Sequence, residues 1–528
     1  MEQRRGAQQR TGRVAVIGAG IGGLAAALEL SARGLDVVVL ERAAAPGGKM
    51  REVAVGGTRL DAGPTVFTMR WVFEELFDAA GASLADRLAL RPAAVLARHA
   101  WQDGGRLDLH ADAARSAEAI GAFAGSAEAR GFRAFCDRAR RVYRALEGPF
   151  IRAPRPTPLS LAASAGPSGL AGLLGASPFN TLWRALGDHF RDPRLRQLFG
   201  RYSTYCGSSP FLAPATLMLV AHVEQEGVWL VEGGMHRLAR AVEALAAERG
   251  ARFRYGAEVA EIRVEGGRAA GVVLAGGERV DADAVVANAD AAAVSTGLFG
   301  PAARGAVPPS ERRDRSLSAL TWAMLAEAEG FPLLRHTVFF SGDYQAEFDD
   351  LFGRGRLPAA PTAYICAQDR GADEPADPPG AGPERLLCLV NAPPNGDATP
   401  PSQAEIERCE LATLRLVERC GLTLRRRESV TTGPAEFERL FPATGGALYG
   451  RASHGWAASF ARPGARTALP GLYLAGGSAH PGAGVPMAAL SGRLAAASLV
   501  SDLAPAKGSR ASTGLWRATA TLGGTSTR

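Results

Sequence analysis

An α/β protein, built on one dinucleotide-binding unit whose pieces are scattered along the chain, is what three observations in the sequence predict. "RVAVIGAGIGGLAAALELSARGLDVVVLER" (13–42) reads as strand, glycine turn, helix and strand. "GLYLAGGSAHPGAGVPMAALSGRLAAASLV" (471–500) reads again as strand, glycine-rich turn and helix. Strand signals return around 228–290 after a long stretch of helical spacing. One Rossmann-type domain assembled from discontinuous segments, with a mixed α+β region inserted, accounts for all three most simply.

Residues 1–12 are expected to be a disordered leader; "MEQRRGAQQRTGR" has no apolar core and does not read as a signal peptide. Residues 13–70 supply the first part of the nucleotide unit. Gly18-Ala19-Gly20-Ile21-Gly22-Gly23 is GxGxxG. Gly18 permits the tight turn, Gly20 leaves room for a pyrophosphate, and Gly23 lets the helix pack close to the sheet. Free N–H groups and the dipole at the start of the helix from residue 21 favour the pyrophosphate charge. Glu41 closes the second strand, where an acid accepts from ribose hydroxyls and disfavours a 2′-phosphate.

"RAAAPGGKMR" follows, turned by Pro46-Gly47-Gly48. It carries Lys49, which with Lys507 makes up all the lysine in a chain of 60 basic residues. "MREVAVGGTRLDAGPTV" (50–66) predicts a hairpin around Gly56-Gly57. Residues 71–225 are mainly helical by pattern, 226–300 carry the middle part of the nucleotide domain, and 301–445 mix strands with one charged helix at 402–420. Residues 446–503 complete the nucleotide domain. Residues 504–528, rich in Ser, Thr and Gly, are expected to be a disordered tail.

The second glycine turn bears on which dinucleotide is held. Gly476, Gly477, Gly482 and Gly484 let backbone approach a ligand, and the helix from about 485 offers another N-terminus. A bound NAD has no need of such a turn so far from the first. A flavin does, because its ribityl chain and isoalloxazine extend well past the first turn. No second GxGxxG is found, so an added NAD(P)H unit is not expected. The expectation is therefore a Rossmann-type FAD-binding domain with an inserted mixed α+β region that faces substrate and membrane.

With 528 residues and a net charge of +7, the chain has a large core and a basic surface that attracts nucleic acid or anionic lipid. No nucleic-acid motif accompanies the charge, so no nucleic-acid partner is expected. The six cysteines include no CxxC pair, so neither a metal site nor a redox dithiol is indicated, and a reducing cytoplasm suits them. No apolar run is long enough for a transmembrane helix. "PTPLSLAASAGPSGLAGLLGASPFNTLW" (156–183) has 28 residues without a charge and is flanked by Arg152, Arg155 and Arg184. It reads equally as an apolar lip at a tunnel mouth, with those arginines set for lipid phosphates, or as a buried linker.

The motifs "VAVIGAGIGGLAAALEL", "LERAAAPGGKM", "LDAGPTVFTMRWVFEELF", "VEGGMHRLARAVEALA", "VVANADAAA" and "YLAGGSAHPGAGVPMAALSG" resemble the bacterial phytoene desaturase family of FAD-dependent carotenoid desaturases. The likeness covers most of 13–500. "GPTVFTMRWVFEELF" resembles its hydroxyneurosporene desaturase branch, the 1-hydroxycarotenoid 3,4-desaturases. The resemblance implies non-covalent FAD contacted by Gly18, Gly20, Gly23, Glu41, Lys49, Thr65, Val66, Val259, Asn288, Gly477 and Met487. It implies 3,4-desaturation of acyclic 1-hydroxy carotenoids such as 1-hydroxyneurosporene, with phytoene desaturation or carotenoid isomerisation as alternatives. A flavin amine oxidase and a non-catalytic lipid carrier are more distant readings. Desaturation removes a hydride and a proton, and the polyene stabilises the developing allylic cation. No catalytic residue is assigned by spacing; His480, in the second glycine turn, is one candidate proton acceptor, and a loop histidine holding its own turn is the other reading of it. With no nicotinamide site, electrons pass to oxygen or a quinone. A wholly apolar substrate places the protein on the cytoplasmic side of the inner membrane, as a peripheral protein taking substrate sideways from lipid.

Overall fold

Five parallel strands form the central sheet, in the order Leu472–Leu474, Ala284–Ala287, Arg13–Ile17, Asp36–Glu41 and Arg252–Tyr255. The computed structural model describes residues 12–161, 163, 179–371 and 382–503. Most of the expected leader, the expected tail, and 162 and 164–178 of the uncharged segment lie outside the described residues. The strands come from the beginning, middle and end of the chain, as the discontinuous reading requires. Parallel strands covered on both faces read as apolar runs, and Val14, Ala15, Val16, Val37 and Val39 are fully buried.

One face of this sheet packs on helices Ile21–Ala32, Arg70–Ala79, His236–Glu248 and Val485–Leu503. The other carries a three-stranded antiparallel sheet, Val259–Glu265, Arg268–Leu274 and Arg279–Asp281. Helix Ile21–Ala32 is rich in Ala and buried on almost every side, because Val485–Leu503 lies across it. A Cβ on Gly492 would stand 2.0 Å from the Gly22 carbonyl oxygen, so this crossing requires glycine.

A seven-stranded sheet makes the second layer, in the order Thr423–Thr432, Ser318–Glu329, Glu384–Ala392, Ala363–Ala367, His336–Phe339, Val95–Ala100 and Arg106–His110. The last two correct the reading of 71–225 as mainly helical. "VLARHA" has no clean alternation; it is a strand that pairs antiparallel with Arg106–His110 and in parallel with His336–Phe339, a partner far along the chain. The described residues of that stretch also hold the short strand Leu90–Pro92 and helices that include Ala113–Ala124 and Ser126–Leu146, separated at Gly125, φ 99°. The expected hairpin forms from Glu52–Val55 and Thr58–Asp61. The charged helix runs Gln403–Arg419, its start closed by a capping box between Ser402 and Glu405. No helix among the described residues is long and apolar enough to cross a membrane.

Candidate active site

Strand Arg13–Ile17 delivers the first glycine turn to the edge where the five carboxyl ends of the parallel strands meet. Gly18, at φ 91°, donates its N–H to the Leu40 carbonyl at 2.8 Å. A Cβ on Gly23 would lie 2.1 Å from the Gly18 carbonyl oxygen, so the third glycine sets the close packing of helix on turn. Gly20 has a different neighbour from the one the sequence suggests. A Cβ there would lie 2.7 Å from the Asn288 amide nitrogen, and one on Gly22 2.7 Å from the Asn288 amide oxygen. Asn288, at the end of Ala284–Ala287, therefore covers the turn. A Cβ on Gly22 would also stand 2.8 Å from the Gly476 backbone, so the two glycine turns lie against each other.

Glu41 holds the turn as well as facing the cavity. One carboxylate oxygen accepts from the Ala19 N–H at 2.7 Å and the other from the Ala43 N–H at 2.8 Å. Each oxygen keeps a further lone pair for a ribose hydroxyl. The helix start at Gly20 has no side-chain cap, so its N–H groups stay available to a pyrophosphate.

Lys49 is part-buried and makes no ion pair among the described residues. Its Nζ donates to the Leu448 carbonyl at 2.6 Å and lies 5.3 Å from the Phe441 ring centre. Burial pulls its pKa down, Asp290 pulls the other way, and Arg462 adds to the lowering. An ammonium has three donors, and this one carbonyl leaves others for whatever fills the cavity.

These groups line one cavity of about 1140 Å³. Gly18, Gly20, Glu41, Lys49, Thr65, Val66, Val259, Asn288, Gly477 and Met487 all belong to its wall; Gly23 stands behind it. The Thr65 hydroxyl bonds the Tyr364 hydroxyl at 2.6 Å, and Tyr364 bonds His336 Nδ1 at 2.7 Å. Val259 pairs with Leu274 in the three-stranded sheet and is 7% exposed. Met487 lies in the first turn of Val485–Leu503. The free helix start, the acid at the second strand's end, the under-bonded lysine and the second glycine turn together fit FAD. From there the cavity runs between helical residues such as Leu146, Leu161, Leu219 and Val223 to Phe179 and Trp456, which are 73% and 44% exposed. Rings step inward from that mouth: Phe179 to Trp456 at 5.6 Å, Trp456 to Phe460 at 6.3 Å, and Phe460 to Phe150 at 5.6 Å.

His480 is not part of the wall. Its Nε2 meets the Phe150 carbonyl at 2.9 Å, its ring packs edge-on against Phe150, and burial pushes its pKa down to about 4. It ties the second glycine turn to the mouth, which is the structural reading of this residue. Arg152 is likewise taken up, by Glu75 at 3.0 Å, Glu147 at 3.2 Å and the Trp71 ring, so it is not held out for lipid phosphate.

Two residues at the site had no role assigned from the sequence, Arg462 and, within the quoted "VVANADAAA", Asp290. Arg462 lines the cavity and gives its guanidinium to the carbonyls of Tyr449, Gly477 and Arg451 at 3.0, 2.8 and 2.6 Å. Asp290 caps Ala291–Thr296 and is the carboxylate that bears on Lys49. Asp61, part of the quoted "LDAGPT", accepts from the Met235 and His236 N–H groups at the start of His236–Glu248. Its role is to hold that helix.

Residues 21–500 match the flavin containing amine oxidoreductase family. The chain belongs to this family. Its cofactor is FAD, and it is an oxidoreductase. Within the family the flavoprotein sits among the carotenoid desaturases. It is 56% identical over 526 residues to a hydroxyneurosporene desaturase of Rubrivivax gelatinosus, covering 98% of this chain and 99% of that one. It is 48% identical to a hydroxyneurosporene desaturase of Cereibacter sphaeroides, over 93% and 98% of the two chains. Among solved structures, a putrescine oxidase bound to putrescine superposes with a TM-score of 0.57 at 15% identity, over 93% of this chain and 99% of that one. At that identity the likeness is one of fold.

Proposed function

We propose that this flavoprotein is a membrane-associated carotenoid 3,4-desaturase acting on acyclic 1-hydroxy carotenoids such as 1-hydroxyneurosporene. One observation carries the reading: a single cavity joins the FAD-binding turns to an apolar passage that ends at exposed aromatic rings. A long polyene threaded through that passage would bring one end beside the flavin. The near-full-length identity to proteins named hydroxyneurosporene desaturase supports this choice of substrate.

The FAD contacts we assign are Gly18, Gly20, Gly23, Glu41, Lys49, Thr65, Val66, Val259, Asn288, Gly477 and Met487. When bound, FAD supplies a two-electron acceptor for hydride leaving carbon. The protein's part is to hold the reacting bond in place, exclude water and leave room for the departing proton. A single C–C bond becomes double as one hydride and one proton depart, and the electron pair passes on to oxygen or a membrane quinone. Lys49 and Arg462 make the flavin end of the cavity electropositive. Leu159 and Phe179, 80% and 73% exposed, flank the mouth together with Trp456 and would seat it in the headgroup region of the inner membrane.

Turnover in liposomes with 1-hydroxyneurosporene, neurosporene and phytoene in parallel tests the reading. The hydroxylated substrate should be the fastest of the three. Equal rates, or phytoene as the best substrate, would overturn it.

A further inference from the structure

On its helical side the cavity wall carries two oppositely charged side chains. Arg201 and Glu224 line it there, contributed by the short helix Arg201–Cys206 and by helix Leu219–Glu226. They are 7% and 4% exposed. The Tyr205 hydroxyl donates to Glu224 Oε1 at 2.9 Å and the Tyr202 hydroxyl donates to Oε2. Arg201 Nη1 donates to the Tyr205 hydroxyl at 2.8 Å. Arg201 Nε and Nη2 have no acceptor among the described residues. An arginine cation is thus buried with donors unmet, beside a carboxylate that has lone pairs to spare.

Such an arrangement is a poor way to stabilise a fold. Replacing a buried charged pair with apolar side chains is often neutral or better, and an unpaired buried donor is destabilising. It suits a ligand atom that both donates and accepts one hydrogen bond. We infer that Arg201 and Glu224 form the subsite for the substrate's tertiary hydroxyl, with the O–H donating to Glu224 and an Arg201 N–H donating to the oxygen. The inference rests on the reading of the substrate as a 1-hydroxy carotenoid.

Position agrees with chemistry. The oxygen of a hydroxyl on C1 is three bonds from C3, so its subsite must stand close to the flavin wall. Thr65 belongs to that wall and is joined through Tyr364 to His336. His336 is held down to about 3, first by burial and then by the charges of Arg335 and Arg201. Arg201, Glu224, Thr65 and Tyr364 all line the same cavity. Tyr205 and Tyr202 are positioning residues that fix the carboxylate.

The test compares kcat/KM for 1-hydroxyneurosporene and neurosporene in liposomes, using wild-type holoenzyme and the variants Arg201→Met, Glu224→Gln and Tyr205→Phe. The ratio of the two values should fall at least tenfold in the first two and several-fold in Tyr205→Phe, with flavin absorbance per protein unchanged. Tyr205→Phe keeps the ring and decides the matter if Arg201→Met is insoluble. A wild-type preference for the hydroxylated substrate that survives in the variants, or variants that slow both substrates equally, would overturn the subsite alone. No preference in the wild type would overturn the substrate reading itself, and the subsite with it.

Discussion

At the scale of single residues, the site depends on atoms that serve two purposes. Glu41 braces the glycine turn through two backbone N–H groups and faces the cavity with its remaining lone pairs. Hydrogen bonds to a charged group are worth about 1.5–3 kcal/mol each. Glu41→Ala should therefore lower both the unfolding temperature and FAD retention, the latter at least tenfold, read as flavin absorbance after gel filtration at low FAD. Wild-type occupancy would contradict the assignment. Gly23→Ala should be harsher, because its Cβ meets a backbone carbonyl that cannot move without opening the turn; purification should yield little or no flavin-loaded protein. His480 makes a prediction about acid. Burial holds it near 4, against about 6.5 in an unfolded chain. Between those values the unfolded state binds the extra proton, so stability rises with pH from about 4 to 6.5 and is lost on acidification through that window. Buried Glu347, raised to about 7, runs the other way, losing stability as pH rises from about 4.5 to 7. Melting curves of His480→Asn and wild type at successive pH values isolate the first effect: the stability of wild type relative to the variant should grow as pH rises from about 4 to 6.5, and parallel profiles would refute it.

At the scale of elements, glycines and caps decide which segments meet. Helix Gln403–Arg419 starts at a Ser402 capping box on the outer face of the second layer, far from the cavity wall. Ser402→Ala should cost about 1 kcal/mol of stability and leave the flavin spectrum and turnover unchanged. Arg462 is the contrasting case. It spends its guanidinium on three carbonyls that belong to the 449–451 segment and the second glycine turn. Arg462→Met strands those carbonyls, so FAD affinity should fall at least tenfold in a fluorescence titration; an unchanged dissociation constant would show that the turn holds its shape without the arginine.

At the scale of the whole molecule, the cavity links a polar nucleotide end to an apolar mouth, and the mouth is where the surface departs from ordinary. Exposed Phe179 and Trp456 pack together there at 5.6 Å, with Leu159 80% exposed. Phe179→Ser combined with Trp456→Ser should shift the protein from liposome-bound to free in flotation assays and raise the apparent KM for lipid-borne substrate, while leaving flavin content intact. Equal flotation of variant and wild type would remove the mouth as the membrane contact.

Local pattern was enough for much of this. GxGxxG, the acid at the end of the second strand and the glycine-rich turn near the C-terminus are short-range signals, because a nucleotide is held by backbone geometry within single strand–turn–helix units. They located Gly18, Gly20, Glu41 and Gly477, to which the family resemblance added Lys49, Thr65, Val66, Val259, Asn288 and Met487, and the fold gathers these ten around one cavity. What local pattern could not reveal depends on distance along the chain. Val95–Ala100 lies between its neighbour Arg106–His110 and the distant His336–Phe339, and the second of these pairings leaves no local signal. Gly20 and Gly22 are constrained by Asn288, more than 260 residues on. Arg462, Asp290, Arg201 and Glu224 are ordinary charged residues in sequence and become distinctive only when burial strips their water and the tertiary structure chooses their partners. Backbone-determined binding is thus written locally in the sequence, whereas the electrostatics of the cavity is decided by which buried charges the fold brings face to face.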